Sequence, residues 1–281
     1  MNYIKRFFSL QKIPILLALM SLFFVSCKKP EPVDDTKYGK IKFEFLHYWG
    51  DEPLLYDSLM YQNAAGNELM INEIQYFVSD VTLQSEFGSK MIKDWVDIYY
   101  VDKDIPSTLI WNVYDRIPVG NYHKLSFIFG IPAAKNIPYM YVNPPERDMF
   151  WPIFLGGQNG GYHYLKLNGK WREMPENQIT PFDFHLGVGQ IYSGGVIDVD
   201  SITGYVQNYF TVNLPGLNLS IEEDKTTVIQ IIMDVKEWFE NPIMFDLEVW
   251  GGYIMQTQDA MHVATQNGST VFSVKSIYTP Q

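Results

Sequence analysis

Apolar and polar residues alternate along most of this chain from about residue 40 onward. Ile41, Phe43, Phe45 and His47 fall on one side of a period-two pattern, with Lys42, Glu44, Leu46 and Tyr48 on the other. That alternation predicts a half-buried strand. Segments rich in β-branched and aromatic residues predict further strands over 76–83, 95–101, 123–130, 162–167, 182–188, 205–212, 226–235, 245–250 and 270–274. Turn signals separate them, among them Asn63-Ala-Ala-Gly66, Pro118-Val-Gly120, Asn168-Gly169, Ser193-Gly-Gly195 and Asn267-Gly268. Only 236–240 and 254–266 read as helical. Many short strands with few helices predict an all-β fold: a single antiparallel β-sandwich with long loops and one or two short helices. The longest loop, 131–160, is rich in Pro, Asn, Met and Gly, and a loop of that length in a folded domain is usually functional or disordered.

The pattern breaks at the N-terminus. Lys5, Arg6 and Lys12 precede an apolar run from Ile13 to Val25, which Ser26 and Cys27 follow. A basic start, a short apolar core and a small residue before the break describe a secretory signal, too short to span a bilayer comfortably. Cys27 is the only cysteine of the chain. Its position predicts a bacterial lipoprotein whose mature chain starts at an acylated Cys27. The expected organisation is a lipoprotein signal peptide over 1–26, the lipidated cysteine and a flexible tether over 27–38, and a β-sandwich domain over 39–281. The expected location is the cell envelope, facing the periplasm or the cell exterior, with the lipid bilayer as partner through Cys27.

Removing the three basic residues of the signal takes the net charge from −11 to about −14. This balance argues against nucleic acid as a partner. With Cys27 acylated no disulfide can form, so stability rests on a core that 18 Phe, 19 Tyr and 7 Trp can supply, or on a metal.

No nucleophile elbow, phosphate-binding glycine loop or HExxH motif is present. The scarce reactive groups are five histidines: His47, His123, His163, His185 and His262. Alternation places His47 on the face of Phe43 and Phe45, with Trp49 next along it. It places His163 with Leu165 and Leu167, and His185 with Asp183, opposite Phe184 and Leu186. An imidazole in an apolar layer must satisfy its nitrogens with a carbonyl, a carboxylate or a metal. A hydrogen-bonded core histidine explains any one of them; two or three converging at strand ends predict a metal site. Imidazoles with soft or aromatic neighbours suit copper or zinc better than calcium or magnesium. Met149 is one soft neighbour, although methionine more often fills core space. An acid–base pair of His185 with Asp183 is the enzymatic alternative, and no catalytic role is the expectation. Tyr139, Tyr141 and Trp151 on the long loop offer another alternative, an envelope interaction module that grips a glycan or a protein.

Two segments carry a family resemblance: Met149-Phe-Trp-Pro through Gly-Gly-Tyr-His163-Tyr-Leu-Lys-Leu-Asn-Gly169, and Phe182-Asp-Phe-His-Leu-Gly187. They resemble the MbnP-like copper-binding proteins, a family named for a periplasmic partner of methanobactin. Looser matches are Ile74 to Leu83, Phe127-Ile-Phe-Gly-Ile-Pro132 and Ala260 to Phe272, so the resemblance spans roughly 40–275. It implies a β-sandwich that binds copper, as Cu(I), through histidines for acquisition, buffering or transfer. It also implies a haem-enzyme or metal-transfer partner, since some members carry a tryptophan oxidised to kynurenine. Position by position, it implies His185 and His163 as metal ligands, with Met149 and Trp151 as additional site residues; His47, on the strand where the family begins, is the third expected ligand, and Trp49, next along its face, a further site residue. The chain departs from the family pattern at Asn136-Ile137, where members often have Asn-His. It departs again at Pro152-Ile153, where another Trp and Gln usually follow; Trp151 therefore reads as packing under the loop.

Overall fold

The structure is a computed structural model that describes residues 36–280. The expected signal peptide, Cys27 and most of the expected tether lie outside the described residues. Nine long strands organise the rest: β1 (Tyr38–Trp49), β2 (Glu68–Ser85), β3 (Ile98–Asp102), β4 (Gly120–Phe129), β5 (Leu165–Glu173), β6 (Gln178–Leu186), β7 (Phe210–Ile221), β8 (Thr226–Asp234) and β9 (Phe272–Tyr278). One sheet runs β9-β8-β1, with short strands on β1. The larger sheet runs β6-β5-β2-β4-β7, with β3 and two short strands also on β2. The all-β, mostly antiparallel sandwich read from the sequence is what the chain adopts. One pairing inside it, β1 with β8, is parallel.

The layer between the sheets is aromatic. Tyr76 of β2, Phe129 of β4 and Phe272 of β9 meet there, and Phe129 lies 5.3 Å from both Phe272 and Trp238 between ring centroids. Phe184 and Leu186 of β6 are fully buried on this same side, as alternation required. Lys166, His185 and Asp183 therefore face outward, where Lys166 reaches the long loop at the Asp148 carbonyl.

Several expected elements differ. Residues 245–250 do not form a strand: Leu247–Trp250 is a short α-helix, one of three among the described residues, with Ile153–Gly156 and Gln258–Asn267. The alternation of Phe245, Leu247 and Val249 mimics a strand. The Asp246 carboxylate instead accepts from the Glu248 backbone N–H as an N-cap, and Gly251 ends the helix at φ 76°. The expected strand over 205–212 splits into Ile202–Val206 and β7. The expected turn at Asn168-Gly169 is a register shift within β5, where it pairs with β2.

That irregularity is a bulge, and bulges re-aim neighbouring side chains. Gly169 is required there: a Cβ would overlap the Met70 carbonyl and come within 2.6 Å of the Phe182 ring. Gly169→Ala is expected to lower unfolding free energy by about 1–3 kcal/mol in urea titration. Gly204→Ala, whose added methyl meets nothing nearer than 3.5 Å, is the control and should shift it by less than about 0.5 kcal/mol.

Candidate metal centre

His163 and His185 meet on the outer face of the larger sheet. Their ring centroids are 4.9 Å apart, with the rings nearly perpendicular at 81°. His185 belongs to β6 and pairs across the sheet with Lys166 of β5. His163 precedes β5, and here the alternation with Leu165 and Leu167 fails. Gly161 at φ 63° turns the chain just before it, and Phe150 bridges to Tyr162. The ring is thereby set on the outer side, beneath the 131–160 loop, and the residue is only 4% exposed.

Each imidazole has one nitrogen committed. The His163 Nδ1 lies 2.9 Å from the Met149 carbonyl. A carbonyl only accepts, so Nδ1 carries the proton and Nε2 holds the lone pair. That Nε2 is buried with no hydrogen-bond partner. For His185, Nε2 lies 2.6 Å from Asn168 Oδ1. Asn168 is oriented in turn by Glu73, whose carboxylate accepts from its Nδ2 at 2.6 Å. The amide oxygen must then accept from His185, which puts the His185 proton on Nε2 and the lone pair on Nδ1.

Burial, first of all, holds both rings neutral. The His163 pKa is pushed down to about 3 by desolvation and then by the Lys166 charge. The His185 pKa lies well below its ordinary value through desolvation, then His163 and Lys166. Lys166 donates to the Asp148 carbonyl at 2.6 Å and ties the loop to the sheet.

Trp151 closes the site from above, its ring 5.1 Å from His163. A Cβ on Gly156 or Gly160 would run into that indole, so both glycines let the loop fold tightly over it. The indole Nε1 is also buried without a partner. Met149 contributes its backbone, accepting from both the N–H and the ring of His163. Asn136 accepts from the Tyr162 N–H at 2.9 Å and anchors the loop.

The other expected residues lie elsewhere. His47 faces the layer between the sheets, where its Nδ1 meets the Tyr56 hydroxyl at 2.7 Å and its ring lies 5.8 Å from Tyr76. Trp49 stacks on Tyr61 at 4.5 Å. Among the described residues no three His, Cys, Asp or Glu side chains gather as a metal cluster. Asp183 is not the partner of His185; Asn168 is. Of the loop aromatics, Tyr141 and Trp151 are packed inward and Tyr139 is 61% exposed.

Sequence reasoning missed Asn168, Glu73 and Lys166. Asn168 was visible only as half of a turn signal, and Glu73 lies 95 residues away from it.

The sequence profile of the MbnP family matches residues 38–257. The chain belongs to the MbnP family. The solved structure of MbnP from Methylosinus trichosporium is similar to it at 15% identity and a TM-score of 0.48, covering 74% of this chain and 80% of that one. No curated protein sequence matches. Within this MbnP-family chain, the profile covers both site histidines and the loop between the strands.

The depressed histidine pKa values fix how stability responds to acid. Burial also pushes His47 down to about 4. Unfolded, each ring titrates near 6.5, so below that pH the unfolded chain binds more protons. Stability is full above about pH 6.5 and falls as pH drops through the window toward 4 for His47 and 3 for His163. Denaturant titrations of metal-free protein at several pH values between 6.5 and 4 should show a loss of up to about 1.4 kcal/mol per pH unit for each histidine. His47→Gln should remove one such increment; an unchanged slope in that variant would contradict the assignment.

Proposed function

We propose that this protein is a lipid-anchored member of its family in the cell envelope, binding copper as cargo through His163 Nε2 and His185 Nδ1. One observation carries the reading: a buried imidazole lone pair on His163 that nothing in the protein satisfies, beside a second imidazole whose proton is held on the opposite nitrogen. Leaving such an acceptor unpaired costs about 1–3 kcal/mol, and a soft ion bound there removes the cost. The donor set fits copper: two neutral nitrogens, no carboxylate, and an indole edge in place of open solvent.

The chain's own residues do three things for the ion. The Met149 carbonyl and the Asn168–Glu73 pair hold the two tautomers, so no proton has to leave the ligating nitrogens at neutral pH. Burial keeps both rings neutral, and it closes the His163 lone pair off from water. Lys166 places a positive charge beside the pair, which favours a singly charged ion over a doubly charged one and supports Cu(I). Two nitrogens, one of them with a buried lone pair, suit holding and handing over copper more than turning over a substrate. We therefore assign buffering or transfer, with a metal-transfer or haem-enzyme partner, and no catalytic role.

Copper analysis after anaerobic Cu(I) loading tests the reading. His163→Ala and His185→Ala should each lose the bound ion, whereas His47→Ala should keep it. Retention of copper by both site variants would remove the proposal. Asn168→Ala keeps both ligands but frees the His185 tautomer, and should weaken Cu(I) affinity by about 10–100-fold in a chelator competition. For the anchor, Cys27→Ser should move the protein from the membrane to the soluble fraction.

A further inference from the structure

A separate cavity of about 500 Å³ lies under the same loop, toward β3. Sites for small organic molecules commonly have this volume. Phe77 of β2 lies between two further rings, Tyr100 of β3 at 5.4 Å and Tyr141 of the loop at 6.0 Å between centroids. The two tyrosines are held in advance of any ligand. The Tyr162 hydroxyl accepts from the Tyr141 N–H at 2.9 Å and donates to the Tyr141 carbonyl at 3.1 Å. The Tyr100 hydroxyl donates to Asp102 at 2.8 Å.

The charged lining of this cavity has one sign. Glu146 lines it, half-buried, and no lysine, arginine or histidine does. The neighbouring Arg147 is turned to Asp148 at 3.6 Å, which leaves the Glu146 carboxylate without an ion-pair partner among the described residues. The Tyr141 hydroxyl is buried and has no hydrogen-bond partner there either. Desolvation first, then the neighbouring Tyr162 and the Glu146 charge, push this hydroxyl up to about 12, so it stays a neutral donor and acceptor. Aromatic faces with an unpaired carboxylate and no competing cation attract a positively charged organic group. An anion would meet Glu146 and find no counter-charge. A neutral ring would gain the apolar contacts and leave the carboxylate as it was.

We propose that this cavity binds a small arylalkyl ammonium ion, its ring against Tyr100 and Tyr141 and its ammonium group against Glu146. The site is independent of the histidine pair, and none of its residues belongs to the proposed copper centre.

Calorimetric titration of the metal-free full chain with phenethylammonium, 2-phenylethanol and phenylacetate at one fixed ionic strength tests it. The ammonium ion should bind at least tenfold more tightly than the alcohol, and phenylacetate should give no saturable heat. Glu146→Gln should weaken the ammonium ion at least tenfold and leave the alcohol unchanged, while copper stoichiometry stays that of the unsubstituted protein. No binding of phenethylammonium, equal binding of the alcohol or of phenylacetate, or an indifferent Glu146→Gln would each overturn the proposal. Near-UV circular dichroism checks that the variant folds; should Glu146→Gln fail that check, the comparison of the three ligands on the unsubstituted protein decides alone.

Discussion

Taking an imidazole out of water without a partner for both of its nitrogens costs about 1–3 kcal/mol, and this fold accepts that cost at His163. The rest of the site follows from it. The Met149 carbonyl fixes which nitrogen is left free. The Asn168–Glu73 pair does the same for His185 from the opposite side. Because both rings are buried, neither can relieve its position by taking up a proton near neutral pH. The His163 lone pair is left buried, with the His185 ring and an indole beside it.

The sandwich makes such an arrangement affordable by separating it from the core. Phe184 and Leu186 face the aromatic layer between the sheets, and His185 between them faces the other way. The outer face is then roofed by the loop, which is tied down by Lys166 to Asp148, Asn136 to Tyr162 and the glycines packed on Trp151. The bulge at Gly169 belongs to the same construction, since it lies directly after Asn168. One loop thus roofs two chemically different sites: a nitrogen pair suited to a soft metal ion, and an aromatic cavity with a bare carboxylate.

Much of the fold was legible because strand alternation is strict where one face is packed. The orientation of His185 opposite Phe184 and Leu186 follows directly from it. The orientation of His163 did not, because alternation holds only within a strand and this residue lies before β5 begins. The helix at Leu247–Trp250 was hidden for a related reason: three apolar residues spaced by two look like a strand until the cap at Asp246 is seen. His47 shares its strand face with Phe45 as read, yet that face belongs to the layer between the sheets and not to the outer site. The Glu73–Asn168 contact joins residues that only the β2–β5 pairing brings together, and no local pattern announces it.

The most direct measurement of the central claim is X-ray absorption at the copper edge of the Cu(I)-loaded protein. The account predicts a first shell that includes two imidazole nitrogens at about 2 Å, with their outer-ring scattering and no sulfur. A sulfur shell, or a first shell of oxygen alone, would contradict it.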